Sequence, residues 1–424
     1  MIFSFFYDLC LHLYVLLSLP RILRNWGKYK NNFPQRFGKG FPRIDKDGKQ
    51  LIWLHAVSLG ETKAVAPLIK KFKDLPNPPL VLLSTTTETG HAEGLKSAPQ
   101  ADFHVFLPFD FKYVIRPILK QTKPDYVILT ETDFWYHFQS IAKKCGARLF
   151  VINGKISKRS FSRLAKFPFL ARQLLGSIEH FYLQGELYQK RFATLGIPKN
   201  KLTVTGNIKL DTAIQICDTS SLKEKLKLTT EPVLSLGSTH DPEEKIWLEA
   251  LKQLWLTIPQ LKVLLVPRHP ERFQTVASLL ESHAIPYARW SKGETFQNAR
   301  ILLVDTMGLL RECYQISDIA FVGGSFTPKV GGHNILEPSF YGKPVLFGPH
   351  MHSQPDLTDL AISYKSGLQI TPEQIVSTLQ TLLTHPEQLN SLGTAGKVLT
   401  QDSKGALEKT CHSLFPLLQM HTPC

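Results

Sequence analysis

Glu61 occupies a position in the sequence that suggests chemistry. In the segment HAVSLGET, residues 55–62, an apolar run ends, residues 58–60 form a turn and Glu61 opens a helix. Taken alone, a glutamate at a helix N-terminus is typical of simple dipole stabilisation. The turn glycine and the preceding strand end suggest a second hypothesis, in which a fixed carboxylate removes a proton from a hydroxyl group.

Two further acidic residues follow another apolar run of the same half. Glu131 and Asp133 lie at the end of ILTETDFW. The spacing leaves open whether Glu131 approaches Glu61. If it does, one carboxylate would raise the pKa of the other or stabilise a developing charge. The alternative is a helix-capping cluster around Thr132 and Asp133.

Basic and glycine-rich segments supply candidate contacts for an anionic ligand. Lys209, in GNIKLD, is a candidate to pair with an anionic group, although a lysine there is usually just solvated. In the second half, glycines after apolar runs would let backbone N–H groups approach a phosphate. Arg268 would add a bidentate contact, and Glu337, on one helix face with Asn334, would hold a ribose diol. The candidate nucleotide-binding residues in these segments are Ser238, Thr239, His240, Pro267, Arg268, His269, Met307, Gly308, Gly324, Ser325, Asn334, Ile335, Leu336 and Glu337.

The elements that must position these residues form two sets of apolar, strand-like runs that alternate with amphipathic stretches. Nearly continuous apolar strands between helices indicate parallel sheets covered on both faces. We therefore predict two doubly wound α/β domains whose ligands bind outside the carboxyl ends of the strands, in a central cleft. The predicted divisions are a membrane anchor over 1–20, a first domain over 21–211, a linker over 212–232 and a second domain with C-terminal helices over 233–424.

The N-terminal segment 2–20 is apolar and about long enough to span a bilayer. Ser4, Asp8 and His12 recur every four residues, so a helix would carry one polar stripe on which Asp8 and His12 could pair. Basic residues between 21 and 43 then indicate a cytoplasmic C-terminal side and would attract anionic lipid. A helix that spans the membrane, one that lies in its surface and a buried helix of the first domain remain open.

Composition and missing motifs exclude several classes of protein. A formal net charge of +15 is compatible with nucleic acid, an anionic membrane or an acidic substrate. The densest basic run adjoins the apolar segment, which favours lipid over nucleic acid. The chain has no P-loop, HExxH, CxxC or GxSxG motif, and its 6 cysteines have no metal-ligand or redox spacing. We therefore expect a reduced compartment and no essential metal.

The motifs HAVSLGE, TETDFW, GNIKLD, GSTH, PRHPERF, DTMG and GGHNILEP occur in an order that resembles the 3-deoxy-D-manno-octulosonic acid (Kdo) transferase family. These are glycosyltransferases of the two-Rossmann type called GT-B. The resemblance implies that Glu61 is the catalytic base and that Glu131 and Lys209 stabilise the transition state. It implies a cytidylate site formed by Arg268, His269, the turn Met307–Leu309 and the run Asn334–Glu337, so that Leu309 is a further candidate nucleotide-binding residue. It also implies metal-independent transfer from CMP-Kdo to a lipid A precursor at the cytoplasmic side of the inner membrane.

Three segments differ from the family pattern, and two other functions compete. Leu309-Leu310-Arg311 lacks an expected acidic residue, Asn153-Gly154-Lys155 replaces Asn-Ala-Arg, and residues 351–354 lack the usual Asn-Phe. These differences concern substrate contacts and the number of sugars added.

The competing functions are a nucleotide-sugar epimerase of the same fold and a non-catalytic sugar-nucleotide sensor.

Overall fold

The computed structural model describes residues 2–24, 32–211 and 216–419, and the chain divides into two compact units. One unit comprises Met1–Thr212 and Ser403–Cys424, and the other comprises Ala213–Asp402. Within the described ranges, each unit holds a seven-stranded sheet in which neighbouring strands pair in parallel. The predicted α/β class with two doubly wound sheets is confirmed.

The first sheet has the strand order β3-β2-β1-β4-β5-β6-β7. Its strands are β1 (Leu51–Ala56), β2 (Leu80–Thr85), β3 (Phe103–Phe106), β4 (Tyr126–Thr130), β5 (Arg148–Gly154), β6 (His180–Leu183) and β7 (Leu202–Val204). Alternate residues of β1 enter two different cores, because Leu51 and Trp53 pack on one face and Ile52 and Leu54 on the other. Burial on both faces explains why these strands read as continuous apolar runs.

Helices cover both faces of the first sheet. They are α1 (Ile2–Arg24), α2 (Phe33–Arg36), α3 (Leu59–Lys73), α4 (Glu88–Ser97), α5 (Lys112–Thr122), α6 (Tyr136–Lys144), α7 (Lys158–Lys166), α8 (Pro168–Leu175) and α9 (Glu186–Thr194), with 3-10 turns at Lys199–Lys201 and Ile208–Asp211. Helix α3 starts directly after β1, so its first turn lies at the carboxyl edge of the sheet.

The second sheet has the order β10-β11-β9-β8-β12-β13-β14. Its strands are β8 (Val233–Thr239), β9 (Lys262–Pro267), β10 (Tyr287–Arg289), β11 (Ile301–Leu303), β12 (Ile319–Val322), β13 (Val345–Phe347) and β14 (Gly367–Gln369). The helices of this unit are α10 (Thr219–Lys225), α11 (Glu243–Thr257), α12 (Phe273–Ser282), α13 (Leu310–Ile316), α14 (Leu336–Ser339), α15 (Pro355–Ser363), α16 (Ile375–Thr384) and α17 (Pro386–Asp402), with 3-10 turns at Pro270–Arg272, Trp290–Lys292, Phe296–Asn298 and Pro372–Gln374.

The C-terminal helix α18 (Ala406–Leu414), followed by a 3-10 turn at Phe415–Leu418, belongs to the first unit. The Asp211 carboxylate accepts hydrogen bonds from the N–H groups of Gly405 at 2.7 Å and Leu407 at 2.5 Å. Leu414 is fully buried in the core beneath the first sheet. The predicted second domain over 233–424 is therefore wrong at its C-terminal end.

The predicted linker over 212–232 is also shorter in the structure. Residues 219–225 form α10, and Leu226 and Leu228 are buried in a core cluster of the second unit. Since these two leucines contribute to packing, the segment from 219 onward is part of a folded unit. Residues 212–215 lie outside the described ranges.

Helix α1 has one face on the first unit and the opposite face in solvent. Tyr7 Oη donates to Asp110 at 2.8 Å, and Asp8 contacts His137 Nε2 at 2.9 Å. The predicted Asp8–His12 side-chain pair is wrong, because His12 Nδ1 contacts the backbone carbonyl of Asp8. The exposed face is apolar and consists of Phe5, Phe6, Leu9, Leu13, Tyr14, Leu16 and Leu17. The window Phe3–Pro20 is long and apolar enough to cross a membrane, with a mean hydropathy of 1.4 and 0% of it buried.

Candidate active site

Glu61 lies in the first turn of α3 and is held by the residues just before it. Its Oε2 accepts from the Val57 N–H at 2.9 Å, and its Oε1 accepts from Ser58 Oγ at 2.9 Å. Only 7% of Glu61 is exposed. Burial and then the nearby charge of Glu131 raise the pKa of Glu61. A fixed carboxylate with a raised pKa is suited to accept a proton.

Glu131 directly follows β4 and adopts a left-handed backbone conformation with φ of 62°. Its carboxylate contacts two ammonium groups, Lys209 Nζ at 2.5 Å and Lys155 Nζ at 2.9 Å. Burial raises the pKa of Glu131, but the charges of Lys155 and Lys209 outweigh it and hold the pKa below its ordinary value. Glu131 is therefore the ionised partner of Glu61, and the two carboxylates have different protonation behaviour.

Lys209 pairs with Glu131, and its charge also lowers the pKa of Glu61. It lies in the 3-10 turn Ile208–Asp211, and its Nζ would be 3.9 Å from a Cβ placed on Gly60, in the first turn of α3. The structure thus brings Glu61, Glu131 and Lys209 together. The sequence had left open whether Glu131 approaches Glu61. Lys155 was not among the predicted site residues, although its segment had been noted for differing from the family pattern.

Asp133 does not cap a helix. Its Oδ2 accepts from Trp135 Nε1 at 2.7 Å and contacts His55 Nε2 at 2.8 Å. Helix α6 begins at Tyr136 and has no side-chain cap. The alternative capping interpretation is therefore wrong for Asp133, which instead fixes the fully buried His55 of β1.

A cavity of about 250 Å³ opens at the carboxyl ends of the strands of the second unit. The predicted residues that line it are Ser238, Pro267, Arg268, Met307, Gly308, Asn334 and Glu337. The residues that line it without having been predicted are Val266, Thr306, Leu310 and His333. The predicted residues outside its lining are Thr239, His240, His269, Leu309, Gly324, Ser325, Ile335 and Leu336. The positions of these residues at strand ends predicted where the cavity lies. They did not predict which side chains face the cavity and which point away from it.

The glycine-rich turn at Gly324 and Ser325 is already occupied by a carboxylate of the protein. Glu243, which is fully buried, accepts from the N–H groups of Gly324 at 2.7 Å and Ser325 at 2.9 Å. It also accepts from Phe326 and His240, both at 2.9 Å. These N–H groups are therefore not available to a phosphate, and the predicted role of Gly324 and Ser325 is wrong.

Arg268 and His333 line this cavity, and His240 and His269, which lie outside the lining, continue the cluster. His240 Nε2 lies 2.8 Å from His333 Nε2, and the His240 and His269 rings are 5.1 Å apart. Burial lowers the pKa of His333 to about 4, with further contributions from His240, Arg268 and His269. An anion bound beside these groups would favour the protonated form of His333. The site is therefore suited to a phosphate.

Gly237 sets the spacing between β8 and α13 next to this cavity. A Cβ placed there would lie 2.1 Å from Tyr314 Oη, so Gly237→Ala requires the buried tyrosine to move. We expect the free energy of unfolding to fall by about 1–3 kcal/mol, as in other overpacked cores. Thermal unfolding measures the effect. Gly185→Ala is the control, because a Cβ at Gly185 meets nothing within 4 Å; equal stability of the two variants would contradict the prediction.

Comparison with known proteins decides the family. Residues 31–212 match the family model described as 3-deoxy-D-manno-octulosonic-acid transferase (kdotransferase). The 3-deoxy-D-manno-octulosonic acid transferase of Chlamydophila psittaci is 35% identical and aligns with 99% of this chain and 97% of its own length. The chain belongs to the Kdo transferase family. The enzyme of the same name from Haemophilus influenzae is 32% identical over 92% of both chains.

The solved structures agree with this family at the level of the fold. The UDP-GlcNAc 2-epimerase of Neisseria meningitidis aligns with 87% of this chain and 100% of its own length, with a TM-score of 0.58 and 16% identity. That likeness shows a shared GT-B-like fold and nothing of the reaction. The two relatives by sequence described above are Kdo transferases, so the protein is a glycosyltransferase and the epimerase and sensor alternatives are not supported.

Proposed function

We propose that the protein transfers Kdo from CMP-Kdo to lipid IVA, the tetra-acylated disaccharide 1,4'-bisphosphate, with inversion at the anomeric carbon. The observation that carries the proposal is the buried Glu61, whose carboxylate is held by Val57 and Ser58 beside the Glu131–Lys209 pair. Membership of the Kdo transferase family supports the sugar, and the cavity beside Arg268 supports a nucleotide donor.

The reaction follows from a single base. Glu61 accepts the proton of an acceptor hydroxyl while the oxygen attacks the anomeric carbon of Kdo. The bond between that carbon and the phosphate oxygen breaks, and CMP leaves with the electron pair from the opposite face. Attack opposite the leaving group inverts the configuration. Glu131 and Lys209 stabilise the charge that develops during transfer.

The second unit holds the leaving group. Arg268 provides positive charge and His333 a hydrogen bond for one phosphate. Asn334 and Glu337 line the same cavity and supply partners for the ribose. In the donor the phosphate is a diester with a single charge, and CMP leaves as a phosphate monoester with one negative charge more, which Arg268 would stabilise. We therefore propose transfer without a metal. Among the described residues, no group of three or more His, Cys, Asp or Glu side chains could hold a metal ion.

An assay with the two substrates tests this function. The purified protein is incubated with CMP-Kdo and lipid IVA, and the lipid products are measured by mass spectrometry. We expect lipid masses that increase by whole Kdo residues, and the number of increments gives the number of sugars added. If folded, lipid-bound protein gives no Kdo-lipid product, the proposed acceptor or the proposed donor is wrong. Binding measured in separate incubations with each substrate would identify which of the two is wrong.

We further propose that α1 lies in the surface of the cytoplasmic leaflet of the inner membrane and does not span it. Spanning would require Tyr7 and Asp8 to leave Asp110 and His137. The exposed apolar face continues onto Phe169, whose ring lies 5.6 Å from that of Phe3 and which is 62% exposed. Exposed basic residues lie close in sequence to α1 and to Phe169, and they favour anionic lipid. They are Arg24, Lys39, Arg43, Lys158, Arg159, Arg163 and Lys166.

The exposed leucines of α1 give a direct test of membrane binding. Leu13 and Leu17 are 54% and 74% exposed, and burying a leucine in an apolar phase stabilises by about 1.5–3 kcal/mol. We expect Leu13→Asp/Leu17→Asp to lower binding to anionic phospholipid vesicles by ~100-fold in cosedimentation. Leu256→Asp, at an 84% exposed leucine of the second unit, is the control. Alkaline carbonate should release the wild-type protein from membranes; full retention would indicate a spanning helix.

A further inference from the structure

Lys155 makes a contact that neither the motifs nor the proposed mechanism uses. Its Nζ lies 2.9 Å from Glu131 Oε2, while Lys209 Nζ lies 2.5 Å from the other oxygen, Oε1. The Glu131 side chain is 9% exposed, whereas both lysine side chains are 31% exposed. Each carboxylate oxygen therefore has its own ammonium partner, and the two contacts together fix the rotation of the carboxylate.

A hydrogen bond to the backbone fixes the position of the segment that carries Lys155 relative to the turn that carries Lys209. Asn153, two residues before Lys155, has φ of 52° and is fully buried, and its Oδ1 accepts from the Ile208 N–H at 3.0 Å. That bond connects the end of β5 to the turn that carries Lys209. A Cβ on Gly154 would lie 2.8 Å from Leu183 Cδ2, so the strand end is closely packed. The position of Lys155 is therefore determined by the fold.

The two lysines act differently on Glu61. Lys209 lies against Gly60 in the first turn of α3 and lowers the pKa of Glu61 directly, whereas Glu131 raises it. Lys155 acts on Glu131, whose pKa it lowers. We propose that Lys155 is a positioning residue for sugar transfer, which fixes and neutralises the Glu131 carboxylate so that Lys209 also serves Glu61. The proposal rests on the proposed role of Glu61 as the base.

The other charged groups around this site have partners elsewhere. The titratable groups on the elements that pack against α3 and the end of β4 include His55, Glu88, His91, Glu93, Asp133, Lys155, Lys209 and Glu408. Glu93 pairs with Lys63 at 3.9 Å, and Glu408 pairs with Lys71 at 2.7 Å. Glu88 accepts from Asn32, and Asp133 contacts His55. Lys155 and Lys209 are thus the two cations that contact Glu131 within the described residues.

Removing the Lys155 charge should change the pH dependence of transfer. In Lys155→Gln, the charge of Glu131 is shared with Lys209 alone, so the field at Glu61 is more negative and Glu61 binds its proton more tightly. We expect the acidic limb of the kcat/KM profile to move to higher pH, and kcat at neutral pH to fall by ~10-fold while the KM for CMP-Kdo stays within ~2-fold. Lys155→Arg keeps the charge and should restore both the limb and kcat.

A double-mutant comparison separates positioning from mere structure. In a Glu131→Gln background, Lys155→Gln should cause no further shift of the acidic limb, because the carboxylate that it positions is gone. Lys190→Gln, at an exposed lysine of α9 in the same unit, removes the same charge and should match the wild type. Profiles that coincide for Lys155→Gln and the wild type would overturn this proposal alone, as would an equal shift in the Glu131→Gln background. An inactive wild-type protein would instead overturn the proposed function.

Discussion

Glutamine in place of Glu61 is expected to lower kcat for Kdo transfer by about 10³-fold, within the range for loss of a general base. Glutamine keeps the size of the side chain and one oxygen for the Val57 or Ser58 hydrogen bond, but its amide cannot accept the proton of the acceptor hydroxyl. KM for CMP-Kdo should change little, because the residues that line the proposed nucleotide cavity belong to the second unit. Single-turnover rates with lipid IVA measure the effect.

The control for this substitution addresses the alternative interpretation of a first-turn glutamate. Glu186 opens α9 in the same unit and is exposed. If Glu61 served only the helix dipole, Glu61→Gln and Glu186→Gln would lower stability by similar small amounts, about 0.3–1 kcal/mol, and leave kcat unchanged. A Glu61→Gln variant that retains wild-type kcat would remove Glu61 from the mechanism.

The pH dependence of the wild-type enzyme follows from the same group. Burial and the charge of Glu131 raise the pKa of Glu61, so its protonated fraction at a given pH exceeds that of an ordinary glutamate. Protonated Glu61 cannot act as a base. Activity should therefore fall as pH decreases, and the fall should begin at a higher pH than an unperturbed glutamate would give.

The strands that sequence could predict are those that overlap a strand-like run of six or seven residues, whatever the length of the strand itself. Each of the ten strand-like runs in the sequence overlaps a strand of the structure. The runs are 51–57, 80–86, 103–109, 126–132, 148–153, 233–239, 262–268, 301–306, 319–325 and 344–349. The strands that were missed are β6, β7, β10 and β14, which have three or four residues each. They lie at or near the edges of the two sheets, where so short a run carries too few apolar residues to show a pattern.

The C-terminal helix shows a second limit of sequence patterns. Apolar periodicity in 406–414 indicates that a helix buries one face, but it does not say which sheet the helix covers. That choice depends on Asp211, whose carboxylate accepts from Gly405 and Leu407 almost 200 positions later in the chain. The bond pairs an acidic side chain with the helix N-terminus, which is favourable for the dipole but invisible in local spacing.

The candidate sites show the same limit. Residues could be placed from the strands next to them in the sequence, but contacts with residues far away in the sequence could not be predicted. Glu61 and Glu131 each follow a strand that the sequence predicted, and parallel strands bring their carboxyl ends to one edge, but the spacing left open whether the two carboxylates approach each other. Gly324 and Ser325 also follow a strand, yet they do not face the cavity. Glu243 lies about 80 positions earlier, on α11, and no local pattern shows that its carboxylate fills the turn.

Removing the Glu243 carboxylate should therefore destabilise the second unit strongly. Glu243→Ala leaves four N–H groups, those of His240, Gly324, Ser325 and Phe326, without their acceptor in a buried turn. A hydrogen bond to a charged group contributes about 1.5–3 kcal/mol, and water entry would replace part of the loss. We expect the free energy of unfolding to fall by about 3–5 kcal/mol, measured by calorimetry or urea unfolding.

The same substitution should weaken nucleotide binding, because the turn that Glu243 holds follows β12 and leads to His333 and Asn334 of the cavity. Glu249→Ala, on the solvent face of the same helix, is the matched control and should cost less than about 1 kcal/mol. CMP affinity measured by calorimetry then shows whether the shape of the cavity depends on the Glu243 carboxylate or on the backbone of the turn alone. Loss of CMP binding in folded Glu243→Ala means that this internal carboxylate shapes the donor site, whereas unchanged stability and CMP affinity would mean that the turn is held by its backbone alone.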